Sequence, residues 1–269
     1  MTNLLGKIMV TGTLTALTGL RVGGATGGLK IGGVDLNVIT DPQGRPYIPG
    51  SSIKGKTRAL AEYYKGVKFD SKGRHLCSTG GAYADCQVCQ IWGTLGGKEL
   101  AGPCLTRLQV RDAFLDESSI PQEIKDNLEL EWTEVKFETA INRIKGTALD
   151  GSLRQVERVP AGARFGLELI YNVFRPEDLA LFKLVLESLQ LLEHDYLGGM
   201  GSRGYGRVEL IDLSVFFNSK SDYEAGTVEA ASERRLNGDF TTPASLLQNF
   251  AELEQQMDNS LSKKPEVQT

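Results

Sequence analysis

Hydrophobic positions recur at two spacings along this chain, and the changes of spacing divide it into elements. Residues 7–22 alternate apolar and polar positions through Ile8, Val10, Leu14, Leu20 and Val22, as a half-buried strand does. Ser51 or Ser52 is placed to cap a helix running to about Tyr64, with Ile53, Leu60 and Ala61 on one face. Residues 66–103 have little periodicity. A strand is expected at about 105–115, through Leu105, Leu108 and Val110. A polar stretch rich in charge pairs, 131–160, carries Asp150-Gly151, a hairpin signal. Phe165, Leu167, Leu169, Tyr171 and Val173 then alternate again. Pro176 opens a helix whose Leu179, Phe182, Val185, Leu186, Leu189 and Leu192 recur every three or four residues. Val208, Leu210, Leu213 and Val215 read as a last strand. This β-α-β, β-α-β order predicts an α+β fold of the ferredoxin-like pattern over residues 1–217. Residues 218–269 form an acidic tail, with a linker to 242 and a short amphipathic helix at 243–257.

Between the second helix and the last strand, Gly198, Gly199, Gly201, Gly204 and Gly206 fall within nine residues, beside Arg203 and Tyr205. Glycine allows close backbone approach and positive φ, and successive exposed N–H groups can hold an anion such as phosphate. A plain tight turn accounts for the same composition. The net charge of −4 argues against a polyanionic partner only until its distribution is considered. Residues 218–269 hold nine acidic and five basic residues, so the rest of the chain carries 25 of each sign. No apolar run reaches the roughly 18–20 residues that a bilayer demands. The N-terminus lacks a charged segment followed by a long apolar stretch, and a cytoplasmic protein with no membrane partner is expected.

His75, Cys77, Cys86 and Cys89 give H-x-C and C-x2-C pairs separated by a loop-like stretch. Two close pairs at this spacing match four-ligand tetrahedral zinc, and a closed ligand set makes the ion structural rather than catalytic. Cys104 is the rival fourth ligand, and a redox C-x2-C is the other reading of the motif.

Four segments together carry a resemblance. They are Pro49-Gly50-Ser51-Ser52-Ile53-Lys54-Gly55-Lys56-Thr57-Arg58; Thr133-Glu134-Val135-Lys136-Phe137-Glu138; Arg154-Gln155-Val156-Glu157-Arg158-Val159; and the glycine run. In this order, from about residue 7 to 216, the chain resembles the backbone subunits of type III CRISPR effector complexes, the third protein of the Csm set in the RAMP superfamily.

The resemblance implies a modified RNA-recognition fold, polymerised as copies of itself along a guide CRISPR RNA beside other subunits of the complex. It implies a β-hairpin thumb at about 131–160 that displaces a base pair of the guide–target duplex every six nucleotides, and a zinc-bearing insertion at about 66–103. Two departures stand out: the segment between Ile144 and Arg154 is longer than in the Csm form, and Asn142 stands where the pattern has aspartate. Asp35, which composition alone makes a surface loop residue, matches the aspartate with which the family cuts target RNA. That chemistry is attack of a ribose 2′-hydroxyl on the adjacent phosphate, assisted by Mg²⁺ or another divalent cation. Lys54, Lys56 and Arg58 on the first helix, Arg143, Arg154 and Arg158 near the thumb, and Gly199 and Arg203 in the glycine run become the expected RNA contacts. Lys54 and Arg58 lie four apart and share a helix face. A solvated helix face is the bland alternative for the helix cations, and pairing with Glu138 or Glu157 for the thumb arginines.

A structural RNA-binding scaffold without cleavage, from the same or a related Cmr or type III-D complex, is the second reading. The repeat-processing RAMP endonucleases are a third. They use a histidine near the N-terminus, whereas this chain offers only His75, beside the cysteines, and His194, at a helix end.

Overall fold

The computed structural model describes residues 3–23, 34–94, 105–228 and 235–262. In chain order the elements are β1 (Gly6–Ala16), β2 (Tyr47–Ile48), α1 (Gly50–Lys65), α2 (Gly80–Asp85), α3 (Gln87–Trp92), β3 (Leu108–Val110) and β4 (Ala113–Asp116). Then follow α4 (Gln122–Lys125), β5 (Glu134–Glu138), β6 (Ile141–Asn142), β7 (Thr147–Ala148), β8 (Arg154–Arg158) and β9 (Arg164–Val173). The chain closes with α5 (Asp178–Glu193), β10 (Val208–Ser219), α6 (Lys220–Ala225), α7 (Pro243–Gln248) and α8 (Phe250–Ser262).

The fold is a mixed α+β one. Its main sheet has the order β10-β1-β9-β4-β2, with β3 also paired to β9, and every one of these pairings is antiparallel. Alternation fixes which face is covered. Ile8, Val10 and Leu14 of β1 and Phe165, Leu167, Leu169 and Tyr171 of β9 share one core with Ile53 and Ala61 of α1 and Leu179, Phe182, Val185 and Leu189 of α5. Burying each of these large side chains contributes about 1.5–3 kcal/mol.

The helix start is where local reading and structure part. Neither Ser51 nor Ser52 caps α1. The helix begins at Gly50 behind Pro49, and the Gly50 N–H is donated to Asp112 Oδ1 at 2.8 Å. The strand expected at 105–115 divides into β3 and β4 at Arg111–Asp112, which frees Asp112 for that contact. β10 continues to Ser219, past the boundary expected at 217. The single helix expected at 243–257 is two, α7 and α8. Their Leu246, Phe250, Leu253 and Met257 are buried in the same core as α5, so this part of the tail is packed. Among the described residues no helix is long and apolar enough to cross a membrane.

Candidate functional site

The glycine run folds back on the end of the first strand segment. Gly198 has φ +80°, and a Cβ there would lie 2.2 Å from the Arg21 carbonyl oxygen. Gly206 has φ +73°, with a Cβ 2.1 Å from the Leu197 carbonyl oxygen. Both the left-handed backbone and the close approach exclude a side chain, so these glycines are needed for chain packing. The Gly199 N–H donates to Arg21 O at 2.9 Å and the Gly206 N–H to Gly19 O at 3.1 Å. Those two amides are therefore not available as an anion cradle. The loop instead presents Arg203, exposed at the end of a short 3-10 turn.

Arg203 meets the root of a hairpin. β5 and β8 pair from Glu134↔Arg158 to Glu138↔Arg154. Glu138 gathers three donors: Arg154 Nη2 at 2.9 Å, Arg203 Nη1 at 3.3 Å and the Tyr205 hydroxyl at 2.8 Å. Burial raises the Glu138 carboxyl, but the bonds from Tyr205 and Arg154 outweigh it and hold the group below the usual range. Burial, with Glu138 beside it, pushes the Tyr205 hydroxyl up to about 12. Arg158 pairs with Glu134 at 2.6 Å and lies over the Tyr205 ring, 5.1 Å from its centroid. Glu157, a possible arginine partner from sequence, has another use. Its carboxylate accepts from Val38 N at 2.8 Å and Thr133 Oγ1 at 2.7 Å.

Glu138 therefore ties the hairpin to the glycine loop, and its charge has a predictable consequence. A carboxyl with a lowered pKa stabilises the fold above the ordinary glutamate pKa and loses that contribution as pH falls through the lowered value. Glu138→Gln is expected to cost about 1–3 kcal/mol at pH 7. The gap from wild type should close as pH falls through the lowered pKa, where the wild-type carboxyl becomes neutral like the amide. Thermal denaturation of both proteins across pH reads this; a gap independent of pH contradicts it.

Beyond its root the hairpin narrows to β6 and β7, with a tip at residues 143–146. Asn142 Oδ1 accepts from the Ile144 and Lys145 N–H groups, both at 3.1 Å, and so shapes the tip. Asp150-Gly151 forms a turn on the returning limb and not the tip. Arg143 is exposed and has no side-chain partner among the described residues, while Ile144 is 98% exposed. Phe137, Ile141 and Leu153 extend an exposed apolar stripe along the hairpin.

Asp35 lies against the same root. Leu36 bridges Val156 in parallel, and Gln155 N donates to Asp35 Oδ2 at 2.9 Å. The carboxylate is exposed, and Oδ1 has no partner among the described residues. Most of the glycine-rich stretch before it, residues 24–33, lies outside the described residues.

The helix cations are used differently from the expectation. Lys54 Nζ donates to Leu108 O at 2.9 Å, and burial, with Arg58 nearby, lowers its pKa. Arg58 bonds Glu62 at 2.7 Å, Gly93 O at 2.9 Å and His75 O at 2.8 Å. The face shared by Lys54 and Arg58 is thus turned onto protein, holding β3 and the cysteine lobe. Lys56 pairs with Asp195 at 3.0 Å and sits 3.7 Å from the Tyr196 ring centroid, fastening α1 to the entry of the glycine loop. Sequence reasoning missed Arg21. It is half-buried between Gly23 and Gly199, its Nε is buried without a partner, and no carboxylate among the described residues pairs with it. Its only signal in the sequence is its position just before a glycine run.

The ligand atoms of His75, Cys77, Cys86 and Cys89 all lie within 4.8 Å of one another. His75 Nε2 is 3.2 Å from Cys86 Sγ and 3.9 Å from Cys77 Sγ. His75 Nδ1 faces Lys68 O at 2.9 Å, which fixes the tautomer and leaves Nε2 free to coordinate. Four converging ligands could bind a metal ion; a two-thiol redox pair would leave His75 and Cys77 unexplained. The rival ligand Cys104 lies outside the described residues.

A family model described as the RAMP superfamily matches residues 13–209. The "CRISPR system Cms endoribonuclease Csm3" of Methanocaldococcus jannaschii is 41% identical over 220 residues, 81% of this chain and 84% of that protein. The protein of the same name from Mycobacterium tuberculosis is 36% identical over 256 residues, 88% of this chain and 98% of its own length. Among solved structures, a chain of a Csm3–Csm4 subcomplex in the type III-A CRISPR-Cas interference complex superposes with a TM-score of 0.57 at 29% identity, over 94% of this chain and 97% of that one. Methanopyrus kandleri Csm3 superposes at 0.61 with 21% identity, over 99% of this chain and 100% of that one, and speaks to the fold alone.

Proposed function

The chain belongs to the RAMP superfamily and, within it, to the Csm3 endoribonucleases, and from that premise we propose that Asp35 is the catalytic residue of a surface built for guide–target RNA. The protein is a type III CRISPR backbone subunit that cleaves target RNA within its complex. One observation carries the assignment of roles: Asp35, the hairpin root and the glycine loop converge through Gln155 and Glu138. The strand and helix order is consistent with a ferredoxin-like core, with residues 131–160 as the thumb and 66–103 as the inserted metal lobe.

In this reading Arg143 at the hairpin tip and Arg21 and Arg203 beside the glycine loop contact RNA phosphates. Lys and Arg contacts to phosphate give affinity without sequence preference, as a subunit that accepts any guide requires. Arg154 and Arg158 reach RNA only by dividing their guanidinium donors between a phosphate and Glu138 or Glu134, and Lys54, Lys56, Arg58 and Gly199 act by positioning. The exposed apolar stripe of the hairpin suits insertion between bases.

Asp35 fits a divalent cation, since one carboxylate oxygen is anchored and the other is free, and Mg²⁺ takes one or two carboxylates and completes its shell with water and phosphate oxygens. When bound, such an ion neutralises charge developing on the phosphate. The chain's own part is to hold the RNA strand so that a ribose 2′-hydroxyl lines up with the adjacent phosphorus. Attack then leaves a 2′,3′-cyclic phosphate and a 5′-hydroxyl. The His/Cys cluster is assigned to structural Zn²⁺, whose tetrahedral preference and nitrogen–sulfur ligands it matches. RNA co-purifying with the protein should be a set of CRISPR guides; recovery of the chain without RNA, or with unrelated RNA only, contradicts the guide-binding role.

A further inference from the structure

The main sheet is covered by α1 and α5 on one face, while among the described residues part of its other face is uncovered. There a trough of about 510 Å³ is lined by Thr11 of β1, Gly166, Leu167 and Glu168 of β9, Phe114 of β4, and Arg111 and Asp112 between β3 and β4. Its volume lies in the roughly 300–1,000 Å³ range of small-ligand sites. It belongs to none of the elements used above: the hairpin, the glycine loop, Asp35 and the cysteine lobe contribute no residue to its lining.

Three features define what it would take. Phe114 is 56% exposed, an unusual state for a phenylalanine, and its ring is backed by Tyr47 at 5.8 Å between centroids, inclined by 26°. A supported aromatic face of this kind is a stacking platform. At Gly166 a Cβ would meet no atom within 4 Å, so the floor beside the ring is open. Arg111 stands at the rim with an exposed guanidinium; of the two carboxylates in the lining, Asp112 is engaged by Gly50 N at 2.8 Å, and Glu168 is 3.9 Å from Arg111 and also exposed. So long a contact between exposed groups contributes little and yields readily to a phosphate.

We propose that this trough is a second RNA site, which takes one unpaired nucleotide with its base stacked on Phe114 and its phosphate against Arg111. A flat supported ring, an open floor and a loosely held guanidinium favour a nucleotide over a protein segment, which would need apolar pockets for its side chains. The proposal takes only the ligand class from the reading above and needs neither Asp35 nor the hairpin.

The test uses the full chain and a fluorescein-labelled oligouridine carrying 4-thiouridine. Phe114→Ala is expected to weaken binding about tenfold, the effect of removing one base stack. Phe114→Tyr should restore it, and Arg111→Ala should reduce the salt slope by about 0.7, one single-strand phosphate contact. Photo-crosslinks should map to residues 108–116. Unchanged affinity of Phe114→Ala, crosslinks confined to the hairpin or glycine loop, or a Phe114→Ala effect on self-association alone would each overturn the proposal. The cleavage assignment is read separately, from the target-RNA fragments of the assembled complex, so failure here is distinct from failure of that assignment.

Discussion

Asp35→Ala is expected to slow target-RNA cleavage by the assembled complex at least about a thousandfold, equivalent to about 4 kcal/mol of transition-state stabilisation. Guide binding should be unaffected, since among the described residues the carboxylate makes no ion pair. The substitution removes one hydrogen bond, donated by Gln155 N at an exposed position. Asp35→Asn separates the two roles of the side chain. An amide oxygen still accepts from Gln155 N, so the loop stays in register beside β8, but the negative charge needed beside a cation is gone. Both variants should therefore be equally inactive, with unchanged thermal stability. Full activity in Asp35→Asn would mean that the residue only positions the loop; full activity in Asp35→Ala would remove it from the reaction altogether.

Disruption of the four-ligand cluster is expected to have the largest effect on the structure. A structural zinc site contributes its binding free energy to folding, about 10–16 kcal/mol in small zinc domains. In Cys86→Ser or Cys89→Ser, or after chelation, zinc should fall from about one ion per chain to none, by direct metal analysis. The lobe over residues 70–94 should then become less protected from amide exchange. The damage should spread, because α3 is not an isolated appendage. Val88, Ile91 and Trp92 are buried in the main core, Trp92 Nε1 donates to Thr57 of α1 at 3.2 Å, and Arg58 holds the lobe through His75 O and Gly93 O. Exposure of Trp92 should shift the tryptophan emission to the red. Protein that contains no zinc as purified, and whose fluorescence ignores chelators, contradicts the assignment.

Much of this architecture is legible in the sequence because alternation and helical periodicity report burial directly. β9 and α5 have the apolar positions that the pattern assigns, since each has one face on a shared core. The His75, Cys77, Cys86 and Cys89 set is legible because ligand spacing is a local property. Periodicity does not reveal the long-range use of polar groups. Arg58 reads as a solvent-facing cation on an RNA-binding helix; its partners come from segments 17 and 35 residues away. Lys54 is taken by a carbonyl 54 residues distant, and Glu138 by a tyrosine and an arginine more than 60 residues on. The hairpin tip departs from the dipeptide signal for a different reason. Asp150-Gly151 does form a turn, but Asn142 organises a tighter one at residues 143–146 by accepting two backbone N–H groups, and that one reverses the chain.

The glycine run shows how one composition serves two demands. Gly198 and Gly206 are required by backbone packing against Arg21 and Leu197, while the same folding brings Arg203 and Tyr205 to Glu138 at the hairpin root. The plain-turn and RNA-contact readings of the loop are thus compatible. The glycines make the turn, and the RNA contact is assigned to the side chains the turn presents.

If one exposed carboxylate, repeated along a filament of these subunits, cuts target RNA, the fragments must carry its signature. Mapping the 5′ and 3′ ends of target fragments produced by the reconstituted complex with Mg²⁺ is the most direct test. Cuts should be spaced six nucleotides apart, each leaving a 2′,3′-cyclic phosphate, and all of them should be absent when every copy carries Asp35→Ala. A single cut site, irregular spacing, or an unchanged ladder in the variant would contradict the assignment.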